Sequence, residues 1–274
     1  MELLFAPLFS GSSGNSIYVG TEDEAVIVDA GVSASAIISE MGRAGLSPAS
    51  VKALLVTHEH TDHINGAGAL ARKLGVPVYA TEGTWEGMSR RAGKLADSQK
   101  VRIERGSDFY IGRINVLPFP IPHDCRMPCG YTFAIGNVKV SVATDIGCIK
   151  AGWTDAVTGS DLVLLESNYD PDMLMAGPYP YELKQRILGR RGHLSNEDAG
   201  AAAVLLVNTG TRALILGHLS KENNFPELAL ETSRGVLAEN DIRAGQDVYL
   251  SYARREGLSG VYRVSDTLGV ERVI

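Results

Sequence analysis

The chain has 274 residues, a net charge of −6, 45% hydrophobic residues and 21% charged residues, a balance ordinary for a packed globular protein. It excludes a generally basic surface as the means of holding nucleic acid, and no apolar stretch nears the roughly 18 residues of a membrane helix, so no membrane association is expected. The three cysteines are odd in number and the opening Met1-Glu2-Leu3-Leu4-Phe5 has no basic n-region, which makes a reducing, cytoplasmic setting the expectation.

Hydrophobic periodicity predicts strands over 3–9, 16–19 and 25–29, a helix over about 34–44, a strand over 53–56, a helix over 66–74, a strand over 76–80 and a helix starting near Thr84. From about Lys100 short strands follow one another, at 101–104, 108–110, 114–119, 131–135 and 138–143, the last two joined by Gly136-Asn137, a tight hairpin signal. Helices dominate 150–206 apart from a strand at 162–166. A strand at 213–216, a helix at 226–239 and short strands at 248–251 and 261–264 close the chain. Mixed sheets with helices on their outer faces imply a sandwich of two sheets flanked by helices. No repeat, low-complexity tract or linker interrupts the pattern.

The densest motif is Thr57-His58-Glu59-His60-Thr61-Asp62-His63, directly after the apolar run 53–56. Imidazole and carboxylate are ligands for zinc, manganese or iron. Crowded imidazoles would repel if protonated and gain little by packing, so a solvated loop is a poor account of the motif. His58 and His60 are two apart and point the same way in extended backbone. Asp62 and His63 follow where the chain enters a helix and can aim at a second point. Residues of the same kind recur at strand ends: Asp29, Asp145, Glu166 and His218 each finish or follow an apolar run, and an isolated charge there would be costly unless paired or metal-bound. The other histidines are His123 and His193.

Three further features are less specific. Cys125 and Cys129, near His123, read as buried apolar filler rather than as ligands. The 10–15 loop, with Ser12, Ser13 and Asn15, either nests a phosphate or is a plain turn. Lys184, Arg186, Arg190 and Arg191, and the smaller pair Arg254 and Arg255, are either solvated faces or contacts for an anionic substrate.

In order and placement, Asp29, His58-x-His60-x-Asp62-His63, His123, Asp145 and His218 resemble the motifs of the metallo-β-lactamase superfamily, and the likeness spans nearly the whole chain. It implies an α/β (α+β) fold, the αβ/βα four-layer sandwich of two mixed sheets flanked by helices, here as one domain over 1–274. It implies two divalent ions, zinc or manganese with iron also suitable, held by His58, His60 and His123 and by Asp62, His63 and His218. Asp145 would bridge them and Asp29 would buttress the histidine loop. The run Gly192-His193-Leu194-Ser195-Asn196 is similar to the catalytic-histidine motif of ribonuclease Z-like phosphodiesterases, with Glu166 as its acidic partner. With 10–15 and 166–170, it also resembles the YycJ/WalJ group of that fold, which is regarded as exonuclease-like and acts on DNA.

The resemblance therefore implies a metal-dependent phosphodiesterase, a nuclease acting on DNA rather than RNA. A water activated between the ions would attack phosphorus, and His193 would act as general acid. Asp62, His193 and Glu166 form the expected catalytic set, and Ser12, Ser13, Asn15, Arg190 and Arg191 the expected substrate contacts. A small-molecule metallohydrolase acting on cyclic phosphodiesters, thioesters or lactams is the alternative; for thioesters and lactams the pairing of Glu166 with His193 has no evident use.

Overall fold

The computed structural model describes residues 1–274 and turns the apolar runs into strands buried on both faces. Strands β1 (Glu2–Phe9), β2 (Ser16–Gly20), β3 (Ala25–Val28), β4 (Val51–Leu55), β5 (Val78–Ala80) and β6 (Lys100–Arg102) belong to the first sheet. The second holds β7 (Phe109–Ile111), β8 (Ile114–Pro120), β9 (Cys129–Ile135), β10 (Val138–Ala143), β11 (Leu162–Glu166), β12 (Ala213–Gly217) and β13 (Tyr249–Tyr252). The chain then returns to the first sheet through β14 (Tyr262–Ser265) and β15 (Gly269–Arg272), giving the order β15-β14-β1-β2-β3-β4-β5-β6 opposite β13-β12-β11-β10-β9-β8-β7.

Both sheets are mixed. Antiparallel pairs run from β15 to β3 and from β7 to β10, and parallel pairs from β3 to β6 and from β10 to β13. Side chains alternate across each strand. Leu3, Phe5, Val26 and Val28 therefore face Tyr131, Phe133, Val140 and Leu164 in a core between the sheets, while Leu4, Ala6, Ala25 and Ile27 point outward. That outward face is covered by α1 (Ala34–Arg43) and by α3 (Ala67–Leu74), which follows the one-turn α2 (Thr61–Ile64). α4 (Glu82–Met88) lies on the same side. On the second sheet Val163, Leu165 and Leu214 pack under α5 (Trp153–Val157), α8 (Asn196–Asn208) and α9 (Pro226–Glu239), while α6 (Pro171–Ala176) and α7 (Tyr181–Leu188) make a small cluster near the rim. The result is four layers, helix–sheet–sheet–helix. No helix is long and apolar enough to cross a membrane.

Elements differ from expectation mainly at edges. α4 begins at Glu82 because Thr81 caps it, its hydroxyl accepting from Thr84 N. β13 and β14 each sit one residue later than expected, and the strand expected at 76–80 shortens to β5. β15 was not expected; its residues are half or fully exposed and show no apolar alternation, and only pairing with β14 makes them a strand.

Candidate metal centre

Parallel strands bring their carboxyl ends to one rim, where α/β proteins build sites. Asp29 follows β3, His58 follows β4, Asp145 follows β10, Glu166 ends β11 and His218 follows β12. Asp29, Asp145 and His218 have positive φ of 62°, 61° and 55°, so the backbone breaks from strand direction where each side chain is needed. The histidine loop 57–63 enters α2 with Asp62 and His63 in its single turn. Gly31 runs under this turn; a Cβ there would lie 1.7 Å from Asp62 O. The loop is tied to the opposite sheet by Cys129 N donating to Thr57 O at 3.0 Å and by Tyr131 OH donating to Val56 O at 2.8 Å.

The ring nitrogens form two sets. His58 Nε2 and His123 Nε2 stand 3.1 and 3.2 Å from His60 Nδ1, close to the ~3.3 Å edge of a tetrahedral set with metal–nitrogen bonds of ~2.0–2.1 Å. Asp62 Oδ2 lies 3.5 Å from both His63 Nε2 and His218 Nε2. Asp145 spans the sets, with Oδ2 at 3.4 Å from His63 Nε2 and Oδ1 at 3.7 Å from His123 Nε2.

The other nitrogens fix the tautomers. His63 Nδ1 donates to Asp29 Oδ2 at 2.8 Å, and His123 Nδ1 donates to Gly192 O at 3.0 Å. Thr57 Oγ1 donates to Asp29 Oδ2 and so accepts from His58 Nδ1 at 3.0 Å. These acceptors have no proton to give, which leaves each Nε2 lone pair free for an ion. Two buried atoms in the centre, Asp145 Oδ2 and His218 Nε2, have no hydrogen-bond partner. Orphaned buried groups of this kind are costly, and with the converging lone pairs they make the site fit for divalent metal ions.

Charge separates the sets further. Burial, then the neighbouring imidazoles, push His58 well down; burial lowers His60 and takes His123 to about 4. The first set is therefore three neutral imidazoles. Burial opposes charge on His63 and His218 too, but Asp145 with Asp29 and Asp62 raises His63 well up, and Asp145, Asp62 and Glu166 raise His218 to about 10. For Asp62 and Asp145 burial works against the charge, and the adjacent histidines outweigh it to hold both carboxyls low. The second set therefore carries protons that a bound cation would displace.

Glu166 is fully buried and is saturated with donors. Its Oε1 accepts from Asp145 N at 3.1 Å, His193 Nδ1 at 2.8 Å and His218 Nδ1 at 2.9 Å. Its Oε2 accepts from Ile146 N at 2.8 Å and Leu194 N at 3.0 Å. It has no lone pair to spare for an ion; it orients two histidines. His193, 19% exposed, precedes α8, which Ser195 caps by accepting from Asp198 N at 3.0 Å. Its Nδ1 is committed to Glu166, and the ring lines a cavity of about 160 Å³ with Ser12, Asn168, Tyr179 and Ser220.

The expected substrate contacts divide. Ser12 and Ser13 are exposed, and Ser12 reaches the His193 cavity. Asn15 is buried: it donates to Gly11 O at 3.1 Å, and its Nδ2 lies 3.0 Å from His63 Nε2, beneath the histidine loop. Arg190 is exposed. Arg191 donates to His123 O at 3.0 Å and Cys125 O at 3.1 Å, so part of its guanidinium holds the His123 loop. Cys125 is buried as filler would be, yet its Sγ lies 3.5 Å from His60 Nε2 and belongs to the first set's surroundings; burial pushes its thiol up, so it is protonated there. Sequence reading missed Thr57, Asn168, which donates to His218 O at 2.7 Å, and Asp124, 3.8 Å from His60 Nε2 and paired with Arg186. Adjacency to His58 and His123 was the available signal for Thr57 and Asp124.

Comparison with known proteins agrees with this architecture. A beta-lactamase superfamily domain matches residues 24–219. The chain is 41% identical over 245 residues to exodeoxyribonuclease WalJ of Streptococcus pneumoniae serotype 2, covering 89% of this chain and 91% of that one. It is 40% identical over 246 residues to exodeoxyribonuclease YycJ of Bacillus anthracis, covering 90% and 93%. Among solved structures, the metallo-beta-lactamase fold protein YhfI from Bacillus subtilis superposes with a TM-score of 0.72 at 15% identity, covering 96% of this chain and all of that one.

Proposed function

The chain belongs to the beta-lactamase superfamily, and we propose that it is a metal-dependent phosphodiesterase that removes nucleotides from the ends of nucleic acid, DNA rather than RNA. Identity with two exodeoxyribonucleases over most of the chain supports the substrate class. The observation that carries the chemistry is the Glu166–His193 pair set beside two ligand sets that share Asp145. We assign His58, His60 and His123 to one ion and Asp62, His63 and His218 to a second, with Asp145 between them and zinc or manganese as the metal. Such a pair of ions would supply Lewis acidity at the phosphoryl oxygens and would make water a competent nucleophile near neutral pH.

The chain's own groups do the rest. Asp29 and Thr57 hold the histidine loop in register. Glu166 fixes the His193 ring through Nδ1, leaving Nε2 to deliver a proton to the departing oxygen, a contribution of roughly 10²–10⁴-fold. In this reading Ser12, exposed on the cavity wall, would donate to a phosphoryl or sugar oxygen. Residues 1–274 work as one domain in this reading, since the core between the sheets draws on strands from both halves of the sequence. The three free cysteines favour the cytoplasm.

The test is His193→Ala on the metal-loaded protein. It should keep its metal content and lose about 10²–10⁴-fold in kcat on DNA. Bis-p-nitrophenyl phosphate, whose leaving group needs little protonation, should lose far less. Equal losses on both substrates would assign His193 to substrate positioning instead, and wild-type protein inert toward both would overturn the phosphodiesterase reading.

A further inference from the structure

A groove of about 340 Å³ runs past Pro122, His123 and Cys125, and its walls carry Arg105, Arg126, Lys150, Arg190 and Arg191 with no carboxylate. The five cations arrive from separate segments: after β6, before β9, after β10 and after α7. This is on a chain of net charge −6. The cleft beside Trp85, by contrast, mixes Glu82, Glu86 and Asp97 with Lys100 and Arg102. Only Arg126 has an acidic partner, Glu86 at 3.2 Å, and both side chains are more than half exposed, so that pair contributes little. Arg105 makes one bond, to Pro128 O at 3.2 Å.

We propose that this groove is the track for the phosphodiester backbone of the strand leading away from the scissile bond, an inference that rests on the nuclease reading above. Like charges gathered without an acid repel one another, and a polyanion relieves that repulsion. Guanidinium forks match phosphate oxygens. The groove opens against His123, so a strand lying in it has a phosphate at the ligand sets. Its apolar walls are Ile121, Pro122 and Pro128, with no tryptophan, tyrosine or phenylalanine. Without such a platform there is no base stacking, and the grip is on the backbone alone, indifferent to sequence.

The experiment compares the metal-loaded wild type with a triple variant, Arg105→Ala, Lys150→Ala and Arg190→Ala. All three residues are exposed, so melting should be unchanged. Arg191 is left in place because it holds the His123 loop. The slope of log kcat/KM for a labelled single-stranded oligonucleotide against log salt should flatten by about 0.7 per lost phosphate contact, about 2 in all. The loss should be the same on poly-dA, poly-dT and poly-dC, and hydrolysis of bis-p-nitrophenyl phosphate should stay within twofold. The charge-preserving variant Arg105→Lys, Arg190→Lys should keep the wild-type slope. A triple variant with wild-type slope, or one that loses equally on the small diester, overturns the groove assignment while the nuclease reading stands. Wild-type protein that cleaves the small diester but no oligonucleotide overturns the nuclease reading itself, and the groove falls with it.

Discussion

Replacing Glu166 with Gln changes one atom and disturbs both the second ligand set and His193. The carboxylate takes five donors, three backbone N–H groups and the Nδ1 atoms of His193 and His218. A glutamine accepts at one corner only. If it keeps Ile146 and Leu194, its NH₂ faces Asp145 N, His193 and His218. The imidazoles can answer only by moving their proton from Nδ1 to Nε2. On His218 that blocks the nitrogen facing Asp62, so the second set loses a ligand. On His193 it removes the acceptor that fixes the ring through Nδ1. Losing general acid help costs roughly 10²–10⁴-fold, which at 1.36 kcal/mol per tenfold is about 2.7–5.4 kcal/mol in the barrier. The stranded Asp145 N–H and the two lost charge-assisted bonds should cost about 3–5 kcal/mol of stability, a drop in Tm on the order of 10 °C. Metal analysis, melting and kcat/KM read the three consequences separately. The first set, which Glu166 does not touch, should keep its ion, so stoichiometry should fall from two per chain toward one. A Glu166→Gln protein with two ions and wild-type turnover on DNA would refute the tautomer argument.

Loading should be proton-coupled at the second set alone. His218, held at about 10, and the raised His63 must lose protons to bind, whereas His58, His60 and His123 are already neutral; calorimetry at pH 7.5 in buffers of different ionisation enthalpy should show proton release for one ion and none for the other. In the metal-free protein His218 ties stability to pH. A folded His218 pKa above its unfolded ~6.5 gives stability fully present below about pH 6.5 and lost as pH rises through about 10, so its melting temperature should fall over that window, and a flat profile would contradict the assignment. Gly31→Ala puts a Cβ 1.7 Å from Asp62 O and 2.6 Å from Asn15 N and should lower Tm by several degrees and weaken the second ion, while Gly42→Ala, with nothing within 4 Å in α1, should be neutral or slightly stabilising; like behaviour of the two variants would discount the close approach.

The parts legible in the sequence were those where one side chain's need is local. Strands buried on both faces read as continuous apolar runs, so β1, β3, β4, β11 and β12 were found near their true bounds. The histidine loop was legible because His58, His60, Asp62 and His63 fall within six positions after such a run. β15 escaped because it is held by its neighbour and not by its own pattern. What a side chain does between distant segments was also hidden. Asn15 looked like a phosphate contact and is buried beneath His63; Arg191 looked like a substrate contact and clasps the His123 loop; Cys125 looked like filler and faces His60. Each depends on a partner 48 to 68 positions away, a relation that periodicity does not encode.

The bond from Tyr131 OH to Val56 O, with its neighbour from Cys129 N to Thr57 O, works as a spacer gauge. His58, His60, Asp62 and His63 ride on one sheet and Asp145 and His218 on the other, so the distance between the halves of the centre is a distance between sheets. Reactive geometry tolerates errors of about 0.5 Å, and a 1 Å misplacement can cost 10²-fold. On the proposed assignment the packing of the interior should set catalytic alignment: a methylene removed from the middle of the sandwich, or a single oxygen removed from Tyr131, should lower turnover without any contact to substrate. Activity should then report how well the two sheets fit.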